Sequence, residues 1–129
     1  MKIETGKRVE LIDITEHVRD HVTQSDVKQG ICVISTRHTT TAIIVNENEA
    51  GLRDDILSLL ERFVPENVSY AHNRIDNNAH AHLRAVLLGS SETLRVINGK
   101  LVLGTWQSIF FAELDGPRKR IVDITVIGK

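Results

Sequence analysis

The stretch Leu94-Arg95-Val96-Ile97-Asn98-Gly99-Lys100-Leu101-Val102-Leu103 decides the fold. Asn98-Gly99 is the pair favoured where both central residues of a two-residue hairpin take positive φ, and apolar runs at 94–97 and 100–103 flank it. Strands joined by so short a link run antiparallel, because a parallel return needs a long crossover. Towards the C-terminus, Gly104 offers a place for a bulge. Trp106 to Leu114 and Ile121 to Ile127 are further β-rich runs, and Asp115-Gly116-Pro117-Arg118 between them reads as a turn. Trp106, the sole tryptophan, is expected to be buried, with Gln107 facing the opposite side of its strand.

Towards the N-terminus the period changes. Asn78 is placed to cap a helix that runs through Leu83, Val86 and Leu87 and ends at Gly89. Leu52, Ile56, Leu59, Leu60 and Phe63 form a second helical stripe, directed at the core and stopped by Pro65. Ile31 to Thr36 and Ala42 to Val45 read as neighbouring strands around His38-Thr39-Thr40-Thr41. Arg8 to Ile14 is an alternating strand, followed by a short helix that Thr15 would cap and that ends near Ser25. Strands on short turns with helices between them predict an α+β fold. The expected form is a two-sheet antiparallel β-sandwich with two main helices plus a short N-terminal helix, in a single domain over residues 1–129.

Composition narrows the function classes. Sixteen basic against 17 acidic residues leave a net charge of -1, without the basic footprint of a nucleic-acid binder. No apolar run approaches the roughly 20 residues of a membrane span, and Met1 to Thr5 begins no long apolar stretch. The lone Cys32, in an apolar run, reads as a small buried side chain and excludes an internal disulfide. A protein of a reducing compartment, the cytoplasm, is expected, with no nucleic-acid and no membrane partner.

Four of the six histidines, His38, His72, His80 and His82, lie in the central part of the chain. Imidazoles at such density point to metal ligation or to proton transfer near neutral pH, although any one alone reads as a surface histidine. On a helix His80 and His82 would point roughly 200° apart and could not share an ion, whereas Asn78 and His82, four apart, share a face. Asn46-Glu47-Asn48-Glu49 follows a strand and precedes a helix, where Asn48 and Glu49 are expected to cap. Asp55 sits at the edge of the second stripe, within reach of a neighbouring imidazole or simply exposed. Arg118-Lys119-Arg120 could hold a phosphate, although most such runs are solvated. No phosphate loop, dinucleotide fingerprint, paired CxxC or HExxH occurs.

Several short motifs then fall into one order: His38-Thr39-Thr40, Asn46-Glu47, Tyr70-Ala71-His72, Asn78-Ala79-His80-Ala81-His82-Leu83, Asn98-Gly99-Lys100-Leu101, Leu103-Gly104-Thr105-Trp106-Gln107 and Asp115-Gly116-Pro117-Arg118. Over nearly the whole chain this resembles the secondary thiamine-phosphate synthase family, also called YjbQ-like. Arg95 departs from it, where many relatives carry proline. The resemblance implies a compact α+β fold, a homotrimer and a histidine-containing polar pocket near a subunit interface. It also implies, as a secondary activity, the joining of a pyrimidine pyrophosphate to a thiazole phosphate. Carried over by position, the family's polar set is His38, Asn46, Glu47, Asp55, His72, Asn78, His82, Gln107 and Arg118, with His80 at a more variable place.

Within that set His38, Glu47, Asp55, His72 and His82 are the expected catalytic residues, and Asn46, Asn78, Gln107 and Arg118 the expected substrate binders. His38, His72 and His82 are the expected ligands should a divalent zinc or magnesium ion be the cofactor. A small phosphorylated molecule is the expected partner. The alternatives are a non-catalytic metal- or anion-binding trimeric module and a purely structural protein.

Overall fold

A computed structural model describes residues 1–129. The strands are β1 Lys2–Glu4, β2 Glu10–Asp13, β3 Gln29–Thr36, β4 Thr41–Glu47, β5 Ser91–Ile97, β6 Lys100–Leu101, β7 Gln107–Glu113 and β8 Lys119–Gly128. The helices are α1 Thr15–Ser25, α2 Ala50–Phe63 and α3 Ala79–Leu88, with a 3-10 turn at Ala71–Arg74. Two antiparallel sheets result: five strands in the order β1-β8-β3-β5-β6 and three in the order β2-β7-β4. The architecture is α+β, and no helix is long and apolar enough to cross a membrane.

The hairpin turn forms as its residues demand, Asn98 with φ 53° and Gly99 with φ 75°. Strand β6 covers only Lys100–Leu101, shorter than the apolar run to Leu103 suggests. The expected bulge at Gly104 is instead a turn: Gln107 N–H donates to the Gly104 carbonyl, and Gly104 N–H donates to Gln107 Oε1 at 2.8 Å. Trp106 lies on that turn and is 73% exposed, which corrects its expected burial, because β7 begins one residue later. The pairing of β1 with β8 had no sequence signal, since three residues are too few to show a period.

Strand β7 explains the layering. Ile109 and Phe111 project to one side and join Cys32 and Ile34 of β3, Val96 of β5, Val122 of β8, and Val18 and Val22 of α1. Phe110, Ala112 and Leu114 project to the other side, against Leu60 of α2 and Ala81 and Ala85 of α3. The strand is therefore apolar on both faces, which is why 109–114 reads as a continuous apolar run. Burying a phenylalanine side chain there contributes about 1.5–3 kcal/mol. Burial pushes the Cys32 thiol up to about 11, in keeping with an inert core cysteine.

The helix ends hold two departures. Thr15 was expected to cap α1, but it is the first helical residue; its hydroxyl donates to Asp13 Oδ1 at 2.5 Å and accepts from Ile109 N–H at 2.9 Å, tying α1 to β7. Glu49 caps α2 as expected, accepting from the Gly51 and Leu52 N–H groups. The stripe of α2 is only half covered, with Leu60 buried but Leu59 51% and Phe63 70% exposed. On α3, Val86 and Leu87 are exposed on the same outer layer of helices.

Candidate functional site

The site gathers at one end of β4 and β7. The β3–β4 turn presents His38, whose backbone is pinned on both sides: its N–H donates to Thr36 Oγ1 at 3.2 Å and its carbonyl accepts from Thr41 Oγ1 at 3.1 Å. The ring is also held, since Ile121 N–H of β8 donates to Nε2 at 2.9 Å. That bond assigns the lone pair to Nε2 and leaves the proton of the neutral ring on Nδ1. Burial and the nearby Arg120 charge, opposed by Glu113, lower the His38 pKa from its ordinary value, so the ring is neutral at pH 7.

Beneath His38 lies a buried ion pair. Arg120 Nε donates to Glu113 Oε1 at 2.9 Å, and one of its terminal nitrogens donates to Oε2 at 2.6 Å. Thr5 Oγ1 and Asp115 N–H complete the carboxylate, and the same Arg120 terminal nitrogen also reaches Thr40 Oγ1 at 3.0 Å. Burial pushes the Glu113 carboxyl up, but the bonds from Arg120, Thr5 and Asp115 and the Arg120 charge outweigh it and hold it below its ordinary value.

A second chain of polar groups runs across the Asp115–Arg118 turn to the start of α3. Arg118 donates to Asp115 Oδ2 at 3.0 Å and, through Nε, to the Asp115 carbonyl at 3.0 Å. Asn78 Nδ2 also donates to Asp115 Oδ2, at 2.9 Å. With its amide so oriented, Asn78 Oδ1 is the acceptor for His72 Nε2 at 2.9 Å, which places the His72 proton on Nε2 and leaves Nδ1 as the open lone pair. Asn78 stands at the N-cap as the sequence predicts, yet its side chain makes no capping bond. The amide that would stabilise the helix instead orients an imidazole.

His82 completes the arrangement. One helical turn beyond Asn78, it packs edge-on against His72 with ring centroids 4.8 Å apart and planes at 74°. His82 and His38 line a common groove of about 500 Å³, floored by Thr36 and Thr41 and bounded by Arg37. His38, His72, Asn78, His82 and Arg118 therefore belong to one region.

The rest of the expected set lies elsewhere. Glu47 pairs with Gln107 and Asn46 with Ser108 at the far end of the small sheet. Six residue steps separate Glu47 from Thr41, roughly 20 Å at a strand rise of about 3.3 Å. There Asn46 Oδ1 accepts from Glu47 N–H and Gln107 Oε1 serves the turn at Gly104. Asp55 is exposed on α2, and the carboxylate that joins the histidines is Asp115 instead. No three His, Cys, Asp or Glu side chains of one chain form a group able to hold a metal ion.

Asp115 and Glu113 were not among the expected site residues, and Arg120, read only as one cation of a run that could hold a phosphate, is instead buried against Glu113. Glu113 had a signal: an acid inside the apolar run 109–114 must be paired if buried, and Arg120 is the cation on the next strand. Asp115 had only its three-residue spacing from Arg118.

Comparisons with known proteins place this architecture. A UPF0047 protein of Methanothermobacter thermautotrophicus is 57% identical over 129 residues, covering 100% of this chain and 90% of the relative. The UPF0047 protein YugU of Bacillus subtilis is 37% identical, covering 99% of this chain and 97% of its own. A crystal structure of a YbjQ-like protein of unknown function from Sulfolobus solfataricus superposes with a TM-score of 0.98 at 46% identity, covering 100% of this chain and 94% of that one. The family model described as UPF0047 protein YjbQ-like matches residues 1–129, and the chain belongs to that family.

Proposed function

We propose that the groove between His38 and His82, flanked by the Arg118-Asp115-Asn78-His72 chain, binds a small phosphorylated molecule and acts on it by proton transfer. The carrying observation is the amide bridge: Asp115 fixes Asn78, and Asn78 fixes His72 with Nδ1 open. An amide between acid and imidazole relays no proton, so Asp115 and Asn78 orient, while His72 and His82 are the groups that exchange protons. Arg118 supplies the charge for a phosphate.

The reaction to assay is the joining of a pyrimidine pyrophosphate to a thiazole phosphate, which we assign as a secondary activity in the cytoplasm. Expulsion of pyrophosphate is ordinarily assisted by Mg²⁺ on carboxylates. Near the histidines the carboxylates are already engaged, Asp115 by Arg118 and Asn78, Glu113 by Arg120 and Asp123 by Arg37. Imidazole nitrogens suit zinc better than magnesium. His72 and His82 would be the donors; His38, expected as a third, has its Nε2 lone pair engaged by Ile121 N–H, so the ion would need completion from outside the chain.

A homotrimer is the second part of the reading. Its support is the split of the polar set over roughly 20 Å of strand and the exposed apolar residues Phe63, Val86 and Leu87. Assembly would bring Asn46, Glu47 and Gln107 of one copy to the histidines of another. The engagement of Asp115 and Asn78 within the protein favours one alternative, a trimeric module that binds an anion or metal without turnover.

Sedimentation, elemental analysis and phosphate titration of the purified protein, together with the thiamine-precursor assay, separate these readings. The expected result is a trimer that binds inorganic phosphate, with binding weakened at least tenfold in His82→Ala and in Arg118→Gln, and with slow turnover. Phosphate or metal bound without turnover selects the module. A monomer with unchanged phosphate affinity in both variants overturns the site.

A further inference from the structure

The opposite face of α3 holds a second set of polar groups. His80 and Arg84, four residues apart, share it and line a cavity of about 610 Å³ together with Lys7, Arg8, Glu61 and Glu66. Both are deeply buried, His80 1% and Arg84 4% exposed. A buried guanidinium ordinarily satisfies all of its donors. Arg84 makes one bond, from Nε to the Val64 carbonyl at 3.1 Å, which leaves its two terminal nitrogens to the cavity.

His80 repeats the pattern. Its Nδ1 is buried without a partner, and its Nε2 lies 4.0 Å from Glu66 Oε1, too far for a hydrogen bond. Burial, opposed by Glu66, lowers its pKa, so the ring is neutral and carries one proton. On Nδ1 that proton would be a buried donor facing nothing; on Nε2 it faces the cavity. Glu66 does not approach because Arg8 holds the same Oε1 at 2.5 Å. The cavity thus presents donors from Arg84 and His80 that no protein acceptor satisfies, with Glu61 and Glu66 in its wall but not bonded to them.

We infer that the Arg84–His80 cavity is a second ligand site, separate from the His38–His82 groove, that takes a small oxyanion. The class is carboxylate before phosphate. Lys7, Arg8 and Arg84 exceed Glu61 and Glu66 by one charge with His80 neutral, a surplus that matches a monoanion and leaves a phosphate dianion facing two carboxylates. A planar carboxylate also matches the two terminal nitrogens of one guanidinium.

Acetate and inorganic phosphate, titrated separately into ¹⁵N-labelled protein with chloride as the ionic-strength control, test this. Acetate should give saturable shifts at residues 8, 66, 80 and 84 and move the His80 side-chain nitrogens. Arg84→Gln should weaken acetate at least tenfold, and the exposed double variant Lys7→Gln/Arg8→Gln severalfold, so a misfolded Arg84 variant still leaves a decisive arm. Tighter phosphate than acetate at these residues would keep the site and reassign the ligand. Shifts that do not saturate, that chloride reproduces, or that persist at equal affinity in the double variant overturn it. Failure of the proposed function is read separately, at residues 72, 82 and 118.

Discussion

Two acid–arginine pairs bracket the same turn: Glu113 with Arg120 inside it, Asp115 with Arg118 outside. The inner side chains are 0% and 5% exposed, and every carboxylate lone pair faces a donor from Arg120, Thr5 or Asp115. The outer side chains are 15% and 54% exposed, and the acid shares itself between Arg118 and Asn78. A fully enclosed pair joins β7 to β8 and fixes the platform under His38. A half-open pair of the same chemistry contributes little to stability and is free to orient His72. Burial, more than residue type, assigns the two roles.

The largest test of that contrast is Glu113→Gln. Leaving Arg120 buried without its counter-charge should cost about 3–5 kcal/mol, read by urea unfolding. A loss below about 1 kcal/mol would make the inner pair no different from a surface one.

The pH dependence comes next. The Glu113 carboxyl is held below its ordinary value in the fold, so its contribution is complete above the unfolded pKa near 4.5 and is lost as pH falls through the lower folded value. His38, whose pKa is also lowered, prefers the neutral ring in the fold; its contribution is complete above about 6.5 and declines as pH falls below that. Stability followed from pH 7 to 3 should therefore fall first in a histidine step, to which the likewise lowered His80 adds, and then in an acidic step that Glu113→Gln shrinks without abolishing, because the Asp13 carboxyl is also held below its ordinary value.

The smallest effect on stability, under about 1 kcal/mol, is expected from Asp115→Ala, which removes the oxygen that accepts from Asn78 where an asparagine would keep one. Its signature is local: with Asn78 released, the ¹⁵N spectrum of His72 should lose its single Nε2–H form and show mixed tautomers. An unchanged tautomer would remove Asp115 from the orienting role.

The fold was legible where periods were long enough to count. The Asn98-Gly99 hairpin, the helix stopped before Pro65 and the helix starting after Asn78 all stand where backbone chemistry required them. What escaped was set by tertiary context. Trp106 has the composition of a core residue but falls on a turn, and Thr15 has the chemistry of a cap but serves a neighbouring strand. At the site, Asn78 and His82 followed from four-residue spacing on a helix. Asp115 did not, because its partner Asn78 is 37 residues away and no local pattern joins them. Asn46, Glu47 and Gln107 were grouped by family order, whereas one chain sets them at the far end of a strand.

The pairing of β1 with β8 has a kinetic consequence. Lys2 lies opposite Ile121, and the Val122 N–H donates to the Met1 carbonyl, so the first strand has no neighbour until the last has been made. β8 in turn fills the place between β1 and β3, which stays an open edge while synthesis continues. Closure of the large sheet is therefore a late event with the longest loop in the molecule, and during that interval the exposed edge of β3 is the part of the nascent chain most in need of protection from other strands.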